Sequence, residues 1–457
     1  MKNMKLSTLL FITLLTACAQ PEANPVLTIE GGQIQGVVCD SSQVIVYKGI
    51  PYAAAPVGEN RWRGPQPVTP WDGVLSADHF SAAALQATHD PNDGGYGREF
   101  FWLGDPEFSE DCLYLNVWTP QHATGHPEKK LPVTVWIHGG GYSAGWGFEV
   151  EMDGEAWARR DVILVTINYR LGVFGYLSHP ELSAEDEKGV SGNYGTYDQI
   201  AALKWVRNNI SQFGGDPDRI TLMGQSAGAR SVKNLVTSPL SRGMVSGAII
   251  QSGAALPMSG NSQKKLDSIG KSIMDGISLT SLKEMRQAKA DTLFRAVNDY
   301  VIKNHLYGTF MPHVDGVLLE ADFDTSVQTG NVADIPYMIG YTADDMTPLD
   351  EQINLIANAR DSLSPSKPVY TYLFARPLPG DGKPGMKGAF HSSELWFQFG
   401  TLERSWRPFT PEDYALSEEM LDYWTNFAKN GNPNGSHTEW ANHTRNNPYY
   451  QILNINQ

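Results

Sequence analysis

The sequence predicts an α/β fold with a central, mostly parallel sheet that helices cover on both faces. Continuous apolar runs, typical of strands buried on both sides, alternate with segments of helical periodicity. Three of these runs, residues 133–137, 162–167 and 220–223, are each followed by glycine or polar residues. The chain has 457 residues, of which 41% are hydrophobic, so it can bury the large core that such a sheet requires.

The other elements are predicted in chain order from composition and periodicity. Residues 27–48 have a strand, turn, strand pattern, and residues 109–120 are expected to form a strand entered from a capping turn. Residues 195–213 are predicted to be helical because apolar side chains recur on one face; these are Ile200, Leu203, Val206, Ile210 and Phe213. Later strands are expected at residues 248–251, 337–340 and 369–374.

A serine motif lies between one of these strands and a helix-forming segment. Gly224-Gln225-Ser226-Ala227-Gly228 matches G-x-S-x-G, the nucleophile elbow, in which glycines let strand and helix backbones pass closely. A serine hydroxyl is a weak nucleophile until a base removes its proton and donors receive the developing oxyanion. The motif therefore indicates catalysis only if the chain also supplies a base, an acid and an oxyanion hole.

Candidates for these roles follow the predicted strands. His138-Gly139-Gly140-Gly141 follows residues 133–137, and Ala343-Asp344-Asp345 follows residues 337–340. Catalytic and binding residues of parallel sheets lie at the carboxyl ends of the strands. Glycines at such an end let backbone N–H groups approach an oxyanion. These segments and Ser226 are therefore expected to converge.

The N-terminus predicts export. Residues 1–17 have the features of a lipoprotein signal peptide, with Lys2 and Lys5 before a short apolar segment, and Leu15-Thr16-Ala17-Cys18 resembles a bacterial lipobox. Cys18 would carry the lipid and residues 18–26 would form a tether, which anchors the protein to a membrane of the bacterial cell envelope. An ordinary secretory signal is the alternative. The net charge of −15 and the lack of a basic run argue against nucleic acid as a partner.

Eight stretches in chain order carry a family resemblance, and these are residues 49–53, 109–120, 136–142, 168–175, 192–195, 213–229, 391–394 and 423–434. On these stretches the chain resembles the type-B carboxylesterases, the α/β-hydrolase family that includes cholinesterases and bacterial para-nitrobenzyl esterases. The resemblance implies a single α/β-hydrolase domain over residues 27–457 and hydrolysis of carboxylic esters through an acyl-enzyme, with no metal or organic cofactor. A non-catalytic binding lipoprotein and an acyltransferase are the alternatives.

The family's catalytic roles carry over residue by residue. The resemblance implies Ser226 as nucleophile, His391 as general base and then acid, and Asp345 as the acid that orients His391. Because many relatives have the longer glutamate at the acid position, Asp344 remains an alternative. The backbone N–H groups of the oxyanion hole would come from Gly140, Gly141 and Ala227. His138 would support the glycine-rich loop, and Glu394 would support the loop that carries His391. Scaffold ion pairs are implied for Arg61 with Glu110 and for Arg170 with Asp198.

The sequence also departs from the family pattern. Gln225 stands where many relatives have glutamate, and the missing negative charge disfavours cationic choline esters as substrates. Cys112 lacks the cysteine that is its usual disulfide partner, so it is either a free buried thiol or pairs with Cys39. The segment from Asp345 to His391 is shorter than in relatives, which predicts an open cleft for bulky esters, such as aryl or carbohydrate-linked (feruloyl-type) esters. The side chains expected to line this cleft are Tyr96, Phe100, Phe101, Trp102, Tyr142 and Trp146.

Overall fold

The computed structural model describes residues 25–39, 43–254, 258–380 and 386–455. The predicted signal peptide at residues 1–17, the lipidation site Cys18 and most of the predicted tether at residues 18–26 lie outside these described residues. No helix in the described part of the chain is long and apolar enough to cross a membrane. The predictions for the N-terminal segment therefore stay predictions.

The described residues form fifteen β-strands, ten of which belong to one central sheet. The strands are β1 (Val26–Ile29), β2 (Gly32–Gln35), β3 (Val37–Cys39), β4 (Val44–Pro51), β5 (Val74–Ser76), β6 (Ala83–Ala84), β7 (Phe108–Ser109), β8 (Tyr114–Pro120), β9 (Leu131–Ile137), β10 (Ile163–Ile167), β11 (Gly215–Gln225), β12 (Gly247–Gln251), β13 (Tyr337–Thr342), β14 (Val369–Phe374) and β15 (Gln451–Leu453).

Thirteen α-helices in the same described ranges flank the sheet. They are α1 (Tyr96–Phe100), α2 (Glu155–Ala158), α3 (Gly172–Tyr176), α4 (Pro180–Glu185), α5 (Tyr194–Asn209), α6 (Ala227–Thr237), α7 (Gln263–Gly276), α8 (Leu282–Gln287), α9 (Ala290–Lys303), α10 (Phe323–Gln328), α11 (Asp350–Leu363), α12 (Leu395–Phe399) and α13 (Pro411–Asn430).

The central sheet is mixed but mostly parallel. Its strand order is β15-β14-β13-β12-β11-β9-β10-β8-β4-β3. All neighbours from β15 to β10 pair in parallel, whereas β10 with β8, β8 with β4 and β4 with β3 pair antiparallel. Parallel neighbours need crossover connections, and helices between the strands supply them. The predicted fold class is confirmed.

Apolar side chains cover both faces of the sheet. Along β9, Val135 and Ile137 join one apolar cluster, whereas Trp136 between them joins the cluster on the opposite face. Successive side chains of a strand point to opposite faces, so a strand that is buried on both sides must be apolar throughout. This is why the sequence shows continuous apolar runs here rather than alternation.

Two predicted elements have different bounds in the structure. The helix predicted at residues 195–213 is α5, Tyr194–Asn209, followed by a 3₁₀ turn at Ile210–Phe213. The strand predicted at residues 109–120 begins only at Tyr114, because the residues before it have other partners. Ser109 pairs with β6, and the Glu110 carboxylate contacts Arg61.

Both ion pairs implied by the family resemblance are present. Nη2 of Arg61 lies 2.6 Å from Oε2 of Glu110, and Nη2 of Arg170 lies 2.7 Å from Oδ1 of Asp198. The side chains of Arg170 and Asp198 are 2% and 0% exposed, so each charge depends on the other for compensation. The pair joins the segment after β10 to helix α5.

Cys112 is a buried thiol and does not form a disulfide with Cys39. Burial raises the pKa of the Cys112 thiol well above its usual value. The thiol is therefore held protonated inside the core, where it packs as a small apolar side chain.

Candidate active site

Ser226 occupies the turn between β11 and α6. Its backbone has φ +57° and ψ −124°, a left-handed conformation that is strained for a residue with a side chain. A Cβ at Gly228 would collide with the carbonyl oxygen of Ile137 on β9, and a Cβ at Gly224 would collide with the backbone of Gly228. Both glycines are therefore required for α6 to begin this close to the sheet, and the turn exposes Ser226 to a cavity.

His391 and Asp345 form a buried pair at the same cavity. Nδ1 of His391 lies 2.6 Å from Oδ1 of Asp345, and the two side chains are 5% and 4% exposed. The same Oδ1 accepts the backbone N–H of Met346 at 2.8 Å, and Oδ2 accepts the hydroxyl of Thr342 at 3.2 Å. Burial would raise the pKa of Asp345, but the hydrogen bond and charge of His391 outweigh it and lower that pKa. An ionised Asp345 therefore fixes the imidazole with its Nδ1 proton facing the carboxylate.

Asp344, the alternative acid, has a different partner. Its Oδ2 accepts the backbone N–H of Ala389 at 2.8 Å, and its own N–H donates to the carbonyl of Ala389 at 2.9 Å. Gly388 has φ +78°, and a Cβ there would collide with the Asp344 carboxylate. Asp344 therefore anchors the loop that carries His391, whereas Asp345 contacts the imidazole itself.

Two more side chains hold His391. The hydroxyl of Tyr96 donates to the backbone carbonyl of His391 at 2.6 Å, and the amide Nε2 of Gln225 lies 3.1 Å from Nε2 of His391. With the Nδ1 proton facing Asp345, the Nε2 lone pair accepts the Gln225 amide N–H. In the sequence Gln225 indicated only the loss of a charge. Its contact with the imidazole depends on the backbone path at the end of β11, which motif spacing does not report.

The glycine-rich loop after β9 lies against the elbow. Gly140 and Gly141 have φ +87° and +62°, and the Gly140 carbonyl accepts the N–H of Ala144 at 3.0 Å in a tight turn. Both glycines line the cavity together with Ser226 and Ala227. The loop backbone therefore lies beside the serine, where the sequence predicts the oxyanion hole.

His138 lies beneath this loop and does not line the cavity. It is fully buried, its ring stacks on Tyr169 with centroids 4.5 Å apart, and its Nδ1 lies 3.1 Å from the carbonyl oxygen of Gly139. Burial lowers the pKa of His138 to about 4, so the imidazole is neutral near pH 7. These contacts fit the predicted supporting role.

The cavity at Ser226 has a volume of about 430 Å³, within the range that binds small organic molecules. The side chains of Ser226 and His391 both open into it, so nucleophile and base share one compartment. Of the aromatic side chains predicted to line the cleft, four do so, and these are Tyr96, Phe100, Phe101 and Tyr142.

The predicted cleft positions of Trp102 and Trp146 are wrong. Trp102 follows the end of α1 and lines a separate surface pocket with Leu103 and Phe148. Trp146 is 4% exposed and packs behind the cavity wall, with its ring centroid 5.2 Å from that of Phe101. Trp102 and Trp146 lie in irregular segments, where the direction of a side chain depends on the local backbone. Their nearness in sequence to α1 and the glycine-rich loop therefore did not predict whether they face the cavity.

Three buried charged residues of the cavity were not identified from the sequence. Arg230 lies on α6, and Glu149 and Glu151 follow the glycine-rich loop. Glu149 accepts the backbone N–H of Trp146 at 3.0 Å, and burial raises its pKa to about 7. Burial and the charge of Glu149 raise the pKa of Glu151 well above its usual value. The sequence indicates these residues only by their position, because Arg230 follows the elbow and the two glutamates follow the glycine-rich loop.

Comparison with known proteins then identifies the family. The family model described as "Carboxylesterase family" matches residues 23–358 and 350–457. The chain belongs to the carboxylesterase family. It is 33% identical over 470 residues to the para-nitrobenzyl esterase of Bacillus subtilis (strain 168), which covers 91% of this chain and 92% of that protein. This match confirms the family that the sequence motifs indicated.

Other relatives agree with this assignment. The chain is 37% identical over 323 residues to the fumonisin B1 esterase of Sphingopyxis macrogoltabida, which covers 69% of this chain and 55% of that protein. A thermophilic para-nitrobenzyl esterase structure superposes with a TM-score of 0.81 at 29% identity, covering 94% of this chain and 96% of that one. This carboxylesterase family member is a carboxylic ester hydrolase.

The described part of this carboxylesterase contains no group of three or more acidic, histidine or cysteine side chains arranged to hold a metal ion.

Proposed function

We propose that Ser226, His391 and Asp345 are the catalytic triad of this esterase. The observation that carries the proposal is the buried His391–Asp345 hydrogen bond of 2.6 Å in the cavity onto which the Ser226 elbow opens. Nε2 of His391 would give up its contact with the Gln225 amide and take the Ser226 proton as the hydroxyl attacks the ester carbonyl, and Asp345 would stabilise the imidazolium. His391 would then protonate the leaving alcohol and activate water to release the acid.

The developing oxyanion would be received by the backbone N–H groups of Gly140, Gly141 and Ala227. These donors belong to a tight turn and to the first residue of α6, so the fold holds them before substrate binds. Preorganised donors stabilise transition-state charge without reorganising during the reaction. The positive end of the α6 dipole adds to the same effect.

For the substrate, we propose bulky aryl or carbohydrate-linked esters, including feruloyl-type esters. The cavity of about 430 Å³ and its wall of Tyr96, Phe100 and Phe101 support this class, because aromatic side chains pack favourably on aryl groups. The Bacillus subtilis relative is named for para-nitrobenzyl esters, whose alcohol group is aromatic.

For the location, we propose an exported protein that a lipid on Cys18 anchors to a membrane of the bacterial cell envelope. The proposal depends on the positive N-terminus, the short apolar segment and the lipobox-like residues before Cys18. Radiolabelled fatty acid should appear in the full-length protein and be absent from Cys18→Ala. Equal labelling of both would reject the anchor.

Activity is tested with protein that lacks residues 1–18, beside its Ser226→Ala variant. Both are given para-nitrophenyl esters of graded acyl length and methyl ferulate. We expect hydrolysis by the first protein, extending to the bulky esters, and its loss in the variant. Hydrolysis that survives in Ser226→Ala would reject the triad, and activity confined to the shortest esters would reject the substrate class. An acyl acceptor added to the assay distinguishes hydrolysis from acyl transfer by its products.

A further inference from the structure

Arg230 is a buried cation without a partner in the cavity. It is 2% exposed and lines the cavity wall with Ser226. Among the residues that the structure describes, no side-chain hydrogen bond or ion pair of Arg230 is found, and its Nε is a buried donor that none of them satisfies. An arginine side chain out of water normally has a carboxylate or several acceptors around it. This guanidinium therefore lacks the anion that its environment requires.

The position of Arg230 on α6 directs it toward the reacting centre. It follows Ser226 by four residues, and its backbone N–H donates to the Ser226 carbonyl at 3.0 Å. With about 3.6 residues per turn, positions four apart lie on the same face of a helix. Helical side chains also lean toward the N-terminus of their helix, which in α6 is the elbow. Arg230 thus lies one helical turn after the elbow, and both Arg230 and Ser226 line the same cavity.

Nearby acids do not neutralise Arg230. Asp324 contacts Nζ of Lys233 at 2.9 Å, so its charge is already paired, and Asp322 accepts the backbone N–H of Thr325 at the start of α10. Neither aspartate is within ion-pair distance of Arg230. Burial raises the pKa of Glu149 to about 7, and burial together with the charge of Glu149 raises the pKa of Glu151 well above its usual value. The protonated form is therefore favoured for Glu151 at neutral pH, and for Glu149 only below about pH 7.

A second weakly satisfied donor lines the same cavity. The hydroxyl of Tyr142 is buried and makes no hydrogen bond of good geometry with a described residue, although the Ser231 hydroxyl is close enough to lower its pKa. Burial raises the pKa of the Tyr142 hydroxyl, and the positive charge of Arg230 lowers it by a smaller amount. The hydroxyl therefore keeps its proton at neutral pH. Two donors and no compensating acceptor favour an anionic ligand group with two oxygen atoms.

We propose that Arg230 and Tyr142 form an anion subsite that selects esters carrying a free carboxylate away from the scissile bond. The carboxylate would accept hydrogen bonds from the guanidinium and the hydroxyl, which compensates both donors and orients the ester carbonyl next to Ser226. The substrate class is a monoester of a dicarboxylic acid or an ester of a hydroxy acid. This inference rests on the proposed function, because the anion is recognised in the same cavity.

The test compares pairs of esters that differ only in this charge. For a carboxylate in the acyl part, mono-para-nitrophenyl adipate is compared with the ester in which an isopropyl group replaces the carboxylate. For a carboxylate in the alcohol part, carboxyphenyl butanoate is compared with its methyl ester. We expect the wild-type kcat/KM to favour the anionic member of at least one pair by about tenfold or more, since charge-assisted hydrogen bonds supply that discrimination.

The Arg230→Met variant should abolish this preference, and Arg230→Lys should restore part of it, because lysine keeps the charge but loses the planar fork. Arg207→Met is the matched control, since it removes one arginine from the surface pair with Asp218; it should keep the wild-type ratio. An anionic-to-neutral ratio that is near one in wild type, or the same in Arg230→Met as in wild type, would overturn the subsite.

A binding measurement separates this inference from the proposed function. Calorimetry with adipate on Ser226→Ala protein needs no turnover. Adipate binding that disappears in Ser226→Ala/Arg230→Met supports the subsite even if no ester is hydrolysed. Absent binding to Ser226→Ala, together with hydrolysis of neutral esters by wild type, overturns the subsite and leaves the esterase proposal standing.

Discussion

Two adjacent aspartates, Asp344 and Asp345, have different roles in this protein. The chain turns directly after β13, where the N–H of Asp345 donates to the Thr342 carbonyl at 3.2 Å, and the two side chains leave this turn toward different partners. One carboxylate therefore reaches the backbone of Ala389, and the other reaches the imidazole of His391. The loop that carries His391 is tied to Asp344, and the imidazole lies within hydrogen-bond distance of the Asp345 carboxylate. A separation of one residue thus decides which acid orients the base.

Asp345→Asn should lower kcat by about a thousandfold or more, because an amide favours the wrong imidazole tautomer and cannot stabilise the imidazolium. Asp344→Asn keeps an oxygen that can accept the Ala389 N–H, so its loss should remain within about tenfold. Hydrolysis of para-nitrophenyl butanoate measures both. A larger loss in Asp344→Asn than in Asp345→Asn would contradict the assignment.

Glu394 is a fully buried carboxyl whose oxygens make no hydrogen bond of good geometry with a described residue, although the Gln251 side chain is close enough to lower its pKa slightly against the effect of burial. Burial, with a further contribution from Asp345, raises its pKa from 4.5 to about 8. The native protein thus holds a proton that the unfolded chain releases above about pH 4.5. Because the native state binds more protons, this group makes the fold less stable as pH rises from about 4.5 to about 8.

Glu394→Gln should remove this pH dependence. We expect the variant to unfold at a higher temperature than wild type at pH 8, with a gain on the order of 4 kcal/mol at most, and to match wild type near pH 5. Thermal unfolding at both pH values measures the difference. An identical difference at the two pH values would show that Glu394 is not held protonated by the fold.

At the scale of elements, the site depends on how closely α6 approaches β9. The elbow carries the strain of Ser226, and the glycines before and after it let helix and strand backbones meet. The ends of β9, β11 and β13 then present the glycine-rich loop, Ser226 and Asp345 at one edge of the sheet. Parallel pairing across these strands places their carboxyl ends together, which is why residues distant in sequence converge.

Gly228→Ala tests this close approach. Its Cβ would collide with the Ile137 carbonyl oxygen, so α6 must shift, and we expect a destabilisation of about 3 kcal/mol with a large loss of kcat. Gly243→Ala is the control, because no atom lies within 4 Å of its Cβ position; its stability should change by less than about 0.5 kcal/mol. Thermal unfolding and ester hydrolysis measure both, and equal effects would contradict the steric argument.

At the scale of the whole molecule, buried ion pairs connect segments that are distant in sequence. Arg61 joins Glu110 and also donates to the backbone carbonyls of Met285 and Ala288, which connects the N-terminal region to α8. Arg170 and Asp198 connect β10 to α5 inside the core. Such pairs need not add net stability over apolar packing, but breaking one leaves a buried charge uncompensated.

Arg170→Met should destabilise the protein by about 3–5 kcal/mol, because Asp198 would keep a buried charge without its counter-ion. The double variant Arg170→Met/Asp198→Asn removes both charges and should recover part of that loss. Chemical denaturation of the three proteins gives the comparison. A double variant less stable than Arg170→Met would show that the carboxylate of Asp198 has another role in the fold.

The sequence by itself predicted the fold class, the elbow at Ser226 and the role of His391, and it limited the acid to Asp344 or Asp345. Strands buried on both faces have continuous apolar runs, and the elbow needs glycines where backbones come into contact. Both features can therefore be recognised from a short stretch of sequence. The ion pairs of Arg61 and Arg170 were also available from the family resemblance. Each of these features depends on residue type at a defined position.

Only the tertiary structure decided that Asp345 contacts His391, that Gln225 holds its Nε2, that Trp102 and Trp146 lie outside the cavity, and that Arg230 faces it. These features depend on the direction of side chains in irregular segments and on which charged groups form ion pairs or hydrogen bonds. They depend on packing between segments far apart in the chain, and neither periodicity nor motif spacing encodes that geometry. A buried cation without an anion becomes visible only when every neighbouring group has been placed.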